Sequence, residues 1–106
     1  MSELLSITRS REDGAVVLAL SGELDVISAP ELAEQLDALA SEACPRVLLE
    51  LSGLGFVDSA GVSVLVKARH AAEATGRRLI LRNPTEQVHQ VFSVLGLAGW
   101  LAFEDN

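Results

Sequence analysis

This sequence predicts an α/β fold: a mixed β-sheet packed against α-helices, in a single domain over residues 1–106. Three observations predict it. Residues 15–20 (AVVLAL), 46–51 (RVLLEL) and 78–82 (RLILR) are aliphatic runs of strand length. Stretches with helical spacing separate them, and repeated strand–helix–strand crossovers argue a mainly parallel sheet. A chain of 106 residues that is 49% hydrophobic and 22% charged has the size and composition of one packed domain.

The elements follow in order. Residues 3–8 are short and β-capable, and residues 9–14, with Asp13-Gly14 among them, carry a hairpin signal that makes the sheet mixed. Residues 15–20 form a strand that Ser21-Gly22 is expected to break. Ser28 suits an N-cap, Pro30 the first helical turn and Glu31 the positive helix end. Leu32, Leu36 and Leu39 then recur at helical spacing until Pro45 ends the helix. Residues 46–51 are the second strand, and residues 52–58, with Gly53 and Gly55, read as a loop. Residues 59–75 form the next helix, with Val62, Leu65, Val66 and Arg69 at helical spacing and Gly76 as its C′ residue. After the strand 78–82, Asn83 and Pro84 open the last helix, whose stripe is Val88, Val91, Phe92 and Leu95 before Gly96. Residues 100–103 fit a short edge strand. Near-continuous apolar strands of this kind call for cover on both faces.

Composition excludes several functions. The net charge of −7 gives no general pull on DNA, RNA or anionic lipid. The single Cys44 permits neither an intrachain disulfide nor a multi-cysteine metal site. Glu23, Asp25 and Asp58 lack a His or Cys companion in sequence, so no metal and no cofactor is expected. The N-terminus has no apolar signal region, and the uncharged stretch 88–103 falls short of a ~20-residue membrane span, so a cytoplasmic protein is expected.

A catalytic reading fails on spacing. A nucleophile elbow needs Gly two residues before and after its serine, and Val57 occupies the first of these positions around Ser59. His70 and His89 sit mid-helix among polar neighbours and read as solvated side chains. What remains is Gly55-Phe56-Val57-Asp58-Ser59-Ala60-Gly61, which follows a strand and opens a helix. In a parallel sheet this is the carboxyl edge, where ligands and partners bind. Asp58 or Ser59 caps the helix. Ser59, Ala60 and Gly61 are small enough for another protein's active site to approach, and a helix N-terminus tolerates a phosphate. Ser59 is therefore a candidate phosphoacceptor, and an apolar contact around Val62 a candidate part of the interface. Ser21-Gly22-Glu23-Leu24-Asp25 also leaves a strand at a sheet edge. If the two loops share that edge, Asp25 and Asp58 flank Ser59.

Gly22-Glu23-Leu24-Asp25, then Phe56-Val57-Asp58-Ser59-Ala60-Gly61, then Asn83-Pro84 and Leu95-Gly96-Leu97, resemble the STAS domains of bacterial anti-sigma factor antagonists, in order and spacing over nearly the whole chain. The resemblance implies a mixed sheet packed against helices and a partner-switching role, without catalysis. The unphosphorylated protein binds an anti-sigma factor that is itself a serine kinase of the histidine-kinase-like ATPase fold, and so frees the sigma factor. Phosphorylation of the serine aligned with Ser59 dissolves the complex, and a serine phosphatase restores it. Asp25 and Asp58 match acidic positions near the acceptor, and Ser28 falls in a region that joins the interface. Ala60 stands where Ser is frequent, which removes one alternative acceptor. The competing expectation is an unphosphorylated STAS subunit that docks on a transporter ATPase or a signalling scaffold; an acceptor hydroxyl at residue 59 favours the switch.

Overall fold

The computed structural model describes residues 5–101, 103 and 104. The order is β1 (Leu5–Glu12), β2 (Ala15–Leu24), α1 (Ala29–Ala38), a short 3₁₀ turn (Leu39–Ser41), β3 (Arg46–Val57), α2 (Ser59–Thr75), β4 (Arg78–Arg82), α3 (Glu86–Val94) and β5 (Phe103–Glu104). The five strands lie side by side in sequence order; β1 and β2 are antiparallel and every later pair is parallel. The expected mixed sheet packed against helices is what forms. Of the first expected strand, residues 3 and 4 lie outside the described residues, as does residue 102 of the last. Trp100 sits in a turn, and β5 begins at Phe103.

Three strands outrun their expected ends, and β1 runs on from residue 8 to Glu12. β2 passes through Ser21-Gly22, and β3 continues through residues 52–57, where a loop was expected. The extensions of β2 and β3 pair with each other, from Ser21 beside Gly53 to Leu24 beside Val57, with irregular register between Ala19 and Ser21 and between Gly22 and Glu23. Gly22 absorbs the irregularity at a φ of 105°. Glycines that read as breakers locally are here the residues that let two strands stay paired.

The expectation of cover on both faces is also corrected. α1, α2 and α3 all pack on one face, where Leu32, Val62, Leu65, Val88 and Phe92 meet Leu18, Leu49 and Leu81 in one core. The other face has no helix among the described residues. Its apolar strip is small, Ala15, Val17, Leu48 and Ile80, yet all four are buried. The cover is ionic. Arg82, on the same face as Ile80, donates from Nε to Glu50 at 2.7 Å and from Nη1 to Glu12 at 2.6 Å, reaching from β4 to β1. Its long side chain shields the strip while its head stays paired.

This network makes acid stability testable. Hydrogen bonding to Arg82 holds the Glu12 carboxyl below its ordinary range. At Glu50 burial pushes upward, but hydrogen bonds from Arg82, Ser52 and Asn83 outweigh it, and the net direction is also down. A carboxyl lowered in the folded state stabilises above its unfolded pKa of ~4.3, and that contribution is lost as pH falls through the folded value. Urea melts of Arg82→Gln are therefore expected to lose less stability between neutral pH and pH ~3 than the parent does. Equal losses would place the acid sensitivity elsewhere.

Candidate functional site

Because β2 and β3 are parallel neighbours, their C-terminal ends open on the same edge, and the loops that follow meet there. The Asp58 N–H donates to the Leu24 carbonyl at 3.1 Å. The Val26 N–H donates to Asp58 Oδ2 at 3.1 Å, and the Gly61 N–H donates to Asp58 Oδ1 at 3.0 Å. One carboxylate thus caps α2 and ties the 25–28 loop to it. Of the two candidates Asp58 is the cap, which leaves the hydroxyl of Ser59 uncommitted. Ser59 is exposed at the first position of α2, and its hydroxyl has no hydrogen-bond partner among the described residues. Asp58 also accepts from the Val62 N–H through its carbonyl at 2.9 Å. The Ser59 and Ala60 amides, without partners among the described residues, remain to face an anion.

Asp25 shapes the adjoining loop. Its Oδ1 accepts from the Ile27 and Ser28 N–H groups, each at 3.0 Å. The Ser28 N–H chiefly holds the Asp25 carboxyl below its ordinary range; desolvation opposes this, and the Ser28 hydroxyl and Ile27 N–H assist. Ser28 departs from its expected role. It precedes α1 in helical conformation with no side-chain capping bond. Its buried hydroxyl instead accepts from the Asp25 N–H and donates to the Glu23 carbonyl, both at 2.9 Å. The loop is folded inward at both ends, which leaves Val26 and Ile27 at its tip, 69% and 74% exposed.

The small residues after Ser59 also let the helix pack closely. Gly61 faces inward: a Cβ there would lie 2.7 Å from Leu24 Cγ and Val57 Cγ2 and 2.8 Å from the Leu24 carbonyl oxygen. Its smallness seats α2 on the ends of β2 and β3, close enough for Asp58 to bridge them. Ala60 packs against the core as a partly buried residue, and Val62 is part of that core at 6% exposure. Gly61 and Val62 thus hold Ser59 in place at the end of the sheet.

Sequence reasoning missed the far wall of the site. α3 begins at Glu86, behind a Thr85 cap whose hydroxyl accepts from the Val88 N–H and donates to the Leu54 carbonyl at 3.0 Å. Asn83 and Pro84 stay outside the helix, Asn83 at a φ of 55°. Val88 and Phe92 are buried as the stripe predicts, whereas Leu95 is 53% exposed. Val94 and Leu95 line a groove of about 480 Å³ with Asp58, Ser59, Gln87 and Gln90. The only signal in the sequence was the presence of apolar residues where a polar turn would serve.

Comparison with known proteins agrees with this architecture. A profile of a family described as Mlab, STAS domain, matches residues 7–102. The anti-sigma F factor antagonist of Lysinibacillus sphaericus is 32% identical over 87 residues, covering 81% of this chain and 74% of that one. The unphosphorylated form of the anti-sigma factor antagonist SpoIIAA superposes with a TM-score of 0.81 at 28% identity, over 95% of this chain and 88% of that one. The phosphorylated form of the Bacillus cell fate determinant SpoIIAA gives a TM-score of 0.75 at 26% identity, over 95% and 91%. The family profile spans nearly the whole described chain, and the superpositions extend over 95% of it: this chain belongs to the STAS-domain family.

Proposed function

We propose that this chain is an anti-sigma factor antagonist whose partner binding is switched by phosphorylation of Ser59. One observation carries the reading: Asp58 takes the helix cap, so the Ser59 hydroxyl is exposed and unbonded at the first position of α2. Phosphoryl transfer needs an accessible hydroxyl in line with the γ-phosphate, held on a rigid element. The edge where β2, β3 and α2 are laced together supplies that. The occurrence of SpoIIAA in both phosphorylated and unphosphorylated forms supports the same reading.

The partner is an anti-sigma factor that is a serine kinase of the histidine-kinase-like ATPase fold. In the transfer, the Ser59 oxygen forms a bond to the γ-phosphorus of ATP as the bond to the ADP oxygen breaks. The hydroxyl proton passes to a base of the kinase, because Asp58 is committed to the Val26 and Gly61 amides. A serine phosphatase reverses the step by hydrolysis. In this scheme the chain is substrate and ligand, working in the cytoplasm beside its sigma factor, and catalyses nothing itself.

Incubation with that kinase and ATP, followed by intact-mass measurement, tests the site. The parent is expected to gain one phosphoryl group and Ser59→Ala none, while Ser59→Ala still binds the kinase. A phosphoryl group on Ser59→Ala would move the site.

A further inference from the structure

A second concavity lies at the other end of α2, away from Ser59. There α1 and α2 face each other over the starts of β3 and β4, and several of the side chains between them are small, with Ala33 on α1 and Ala68 and Ala71 on α2. They leave the gap unfilled. A cavity of about 320 Å³ remains, walled by Leu36 and floored by Val47 and Leu79, which are register partners on β3 and β4. That volume falls within the roughly 300–1,000 Å³ of small-molecule sites. Both ends of the described chain lie at the opposite edge of the sheet, Leu5 beside Gly22 and Glu104 beside Arg82, so neither fills the cavity.

The charge around the cavity runs against that of the chain. In a protein of net charge −7, two cations line it, Lys67 and Arg77, with one acid, Asp37. Lys67 is the only lysine, and no carboxylate pairs with it among the described residues. Arg77 donates from Nε to the Cys44 carbonyl at 2.9 Å and from Nη2 to the Glu42 carbonyl at 2.8 Å. These neutral acceptors fix the guanidinium without cancelling its charge, while the Glu42 carboxylate is engaged by Arg9 and Arg11. The remaining polar lining residue, Thr75, donates its hydroxyl to the Ala71 and Ala72 carbonyls.

We infer that this cavity binds a small amphipathic monocarboxylate, its aliphatic tail in the alanine-lined gap and its carboxylate against Lys67 and Arg77. An apolar hollow open to water keeps apolar surface wet, and an aliphatic tail removes that contact. Two cations without a carboxylate of their own match a single anionic head, and a charge-assisted contact is stronger than one to a neutral head. A second copy of the chain fits poorly, because a symmetric contact would set Lys67 and Arg77 against their own counterparts. The inference does not rest on Ser59.

Titration calorimetry with octanoate, octanol and octylamine tests it. The parent is expected to bind one octanoate with a Kd at or below ~1 mM, octanol at least ~5-fold more weakly, and octylamine without saturation. Lys67→Met should weaken octanoate ~5-fold and leave octanol unchanged. Ala71→Leu, an exposed change that fills the gap, should weaken both at least ~10-fold with an unchanged melting curve. Arg78→Met removes a charge from the same end of the sheet but from its other face, and should bind octanoate like the parent. Absence of saturable octanoate binding, or parent-like binding by Ala71→Leu, overturns the site. Octylamine binding as tightly as octanoate, or an equal loss in Lys67→Met and Arg78→Met, overturns the carboxylate as its ligand. Self-association of the parent that Ala71→Leu abolishes would give the cavity to a second copy and overturn the inference.

Discussion

Phosphorylation of Ser59 is expected to weaken binding to the anti-sigma factor at least ~100-fold while leaving the fold intact. The phosphate adds ~1.5 to 2 negative charges. In the free protein this charge is well placed. It sits at the N-terminus of a 17-residue helix, beside the unpartnered Ser59 and Ala60 amides and in contact with water. In a close complex it loses that water while still facing the Asp58 carboxylate. At ~6 Å and an effective dielectric of ~20, each added charge costs ~3 kcal/mol against one carboxylate before screening. About 2.8 kcal/mol is already ~100-fold, and loss of close contact adds to it. Ser59→Glu, with one charge and a different shape, is expected to fall between parent and phosphoprotein. Thermal melts should show both modified forms folded, and calorimetry should separate them by affinity. Equal affinity of phosphorylated and unmodified protein for the anti-sigma factor would end the switch as an explanation.

The largest effect on stability is expected at Leu49. It stands at the centre of a row that crosses three strands, Leu18 beside Leu49 beside Leu81, each with no exposed surface. The helices lie over this row, so its neighbours are held from above as well as from both sides. Leu49→Ala should therefore leave a cavity that the surroundings cannot close and cost ~2–5 kcal/mol. For a domain of ordinary stability, ~5–15 kcal/mol, that is a large share. Leu48, one residue earlier, faces the other way and is covered by flexible ionic side chains, with Arg82 foremost. Those chains can settle into a smaller side chain's place, so Leu48→Ala should cost distinctly less. Urea denaturation of the two variants compares the faces directly. Equal losses would mean that the two faces are equally rigid, contrary to the one-sided placement of the helices.

What the sequence determined by itself was local. α2 runs over the predicted 59–75, because an Asp cap at one end and a Gly at φ 73° at the other act within a single turn of chain. β4 occupies the predicted 78–82, a short aliphatic run bounded by Gly76 and by Asn83-Pro84. The Asp58-Ser59 turn was legible for the same reason, and with it the resemblance that led to the STAS family. Tertiary structure alone decided the rest. Residues 52–57 became strand only because residues 21–24 were there to pair with them, and no local pattern reports a partner thirty residues away. Ser28 gave up the cap because the Asp25 amide and Glu23 carbonyl folded back onto its hydroxyl. Gly61 and Val62 turned inward because α2 rests on Leu24 and Val57. Leu95 belongs to a helical stripe by periodicity, yet at the C-cap of α3 it is half exposed where Val88 and Phe92 are buried. Periodicity says which side chains share a face; only the packed neighbours decide where that face ends and what is left to meet a partner.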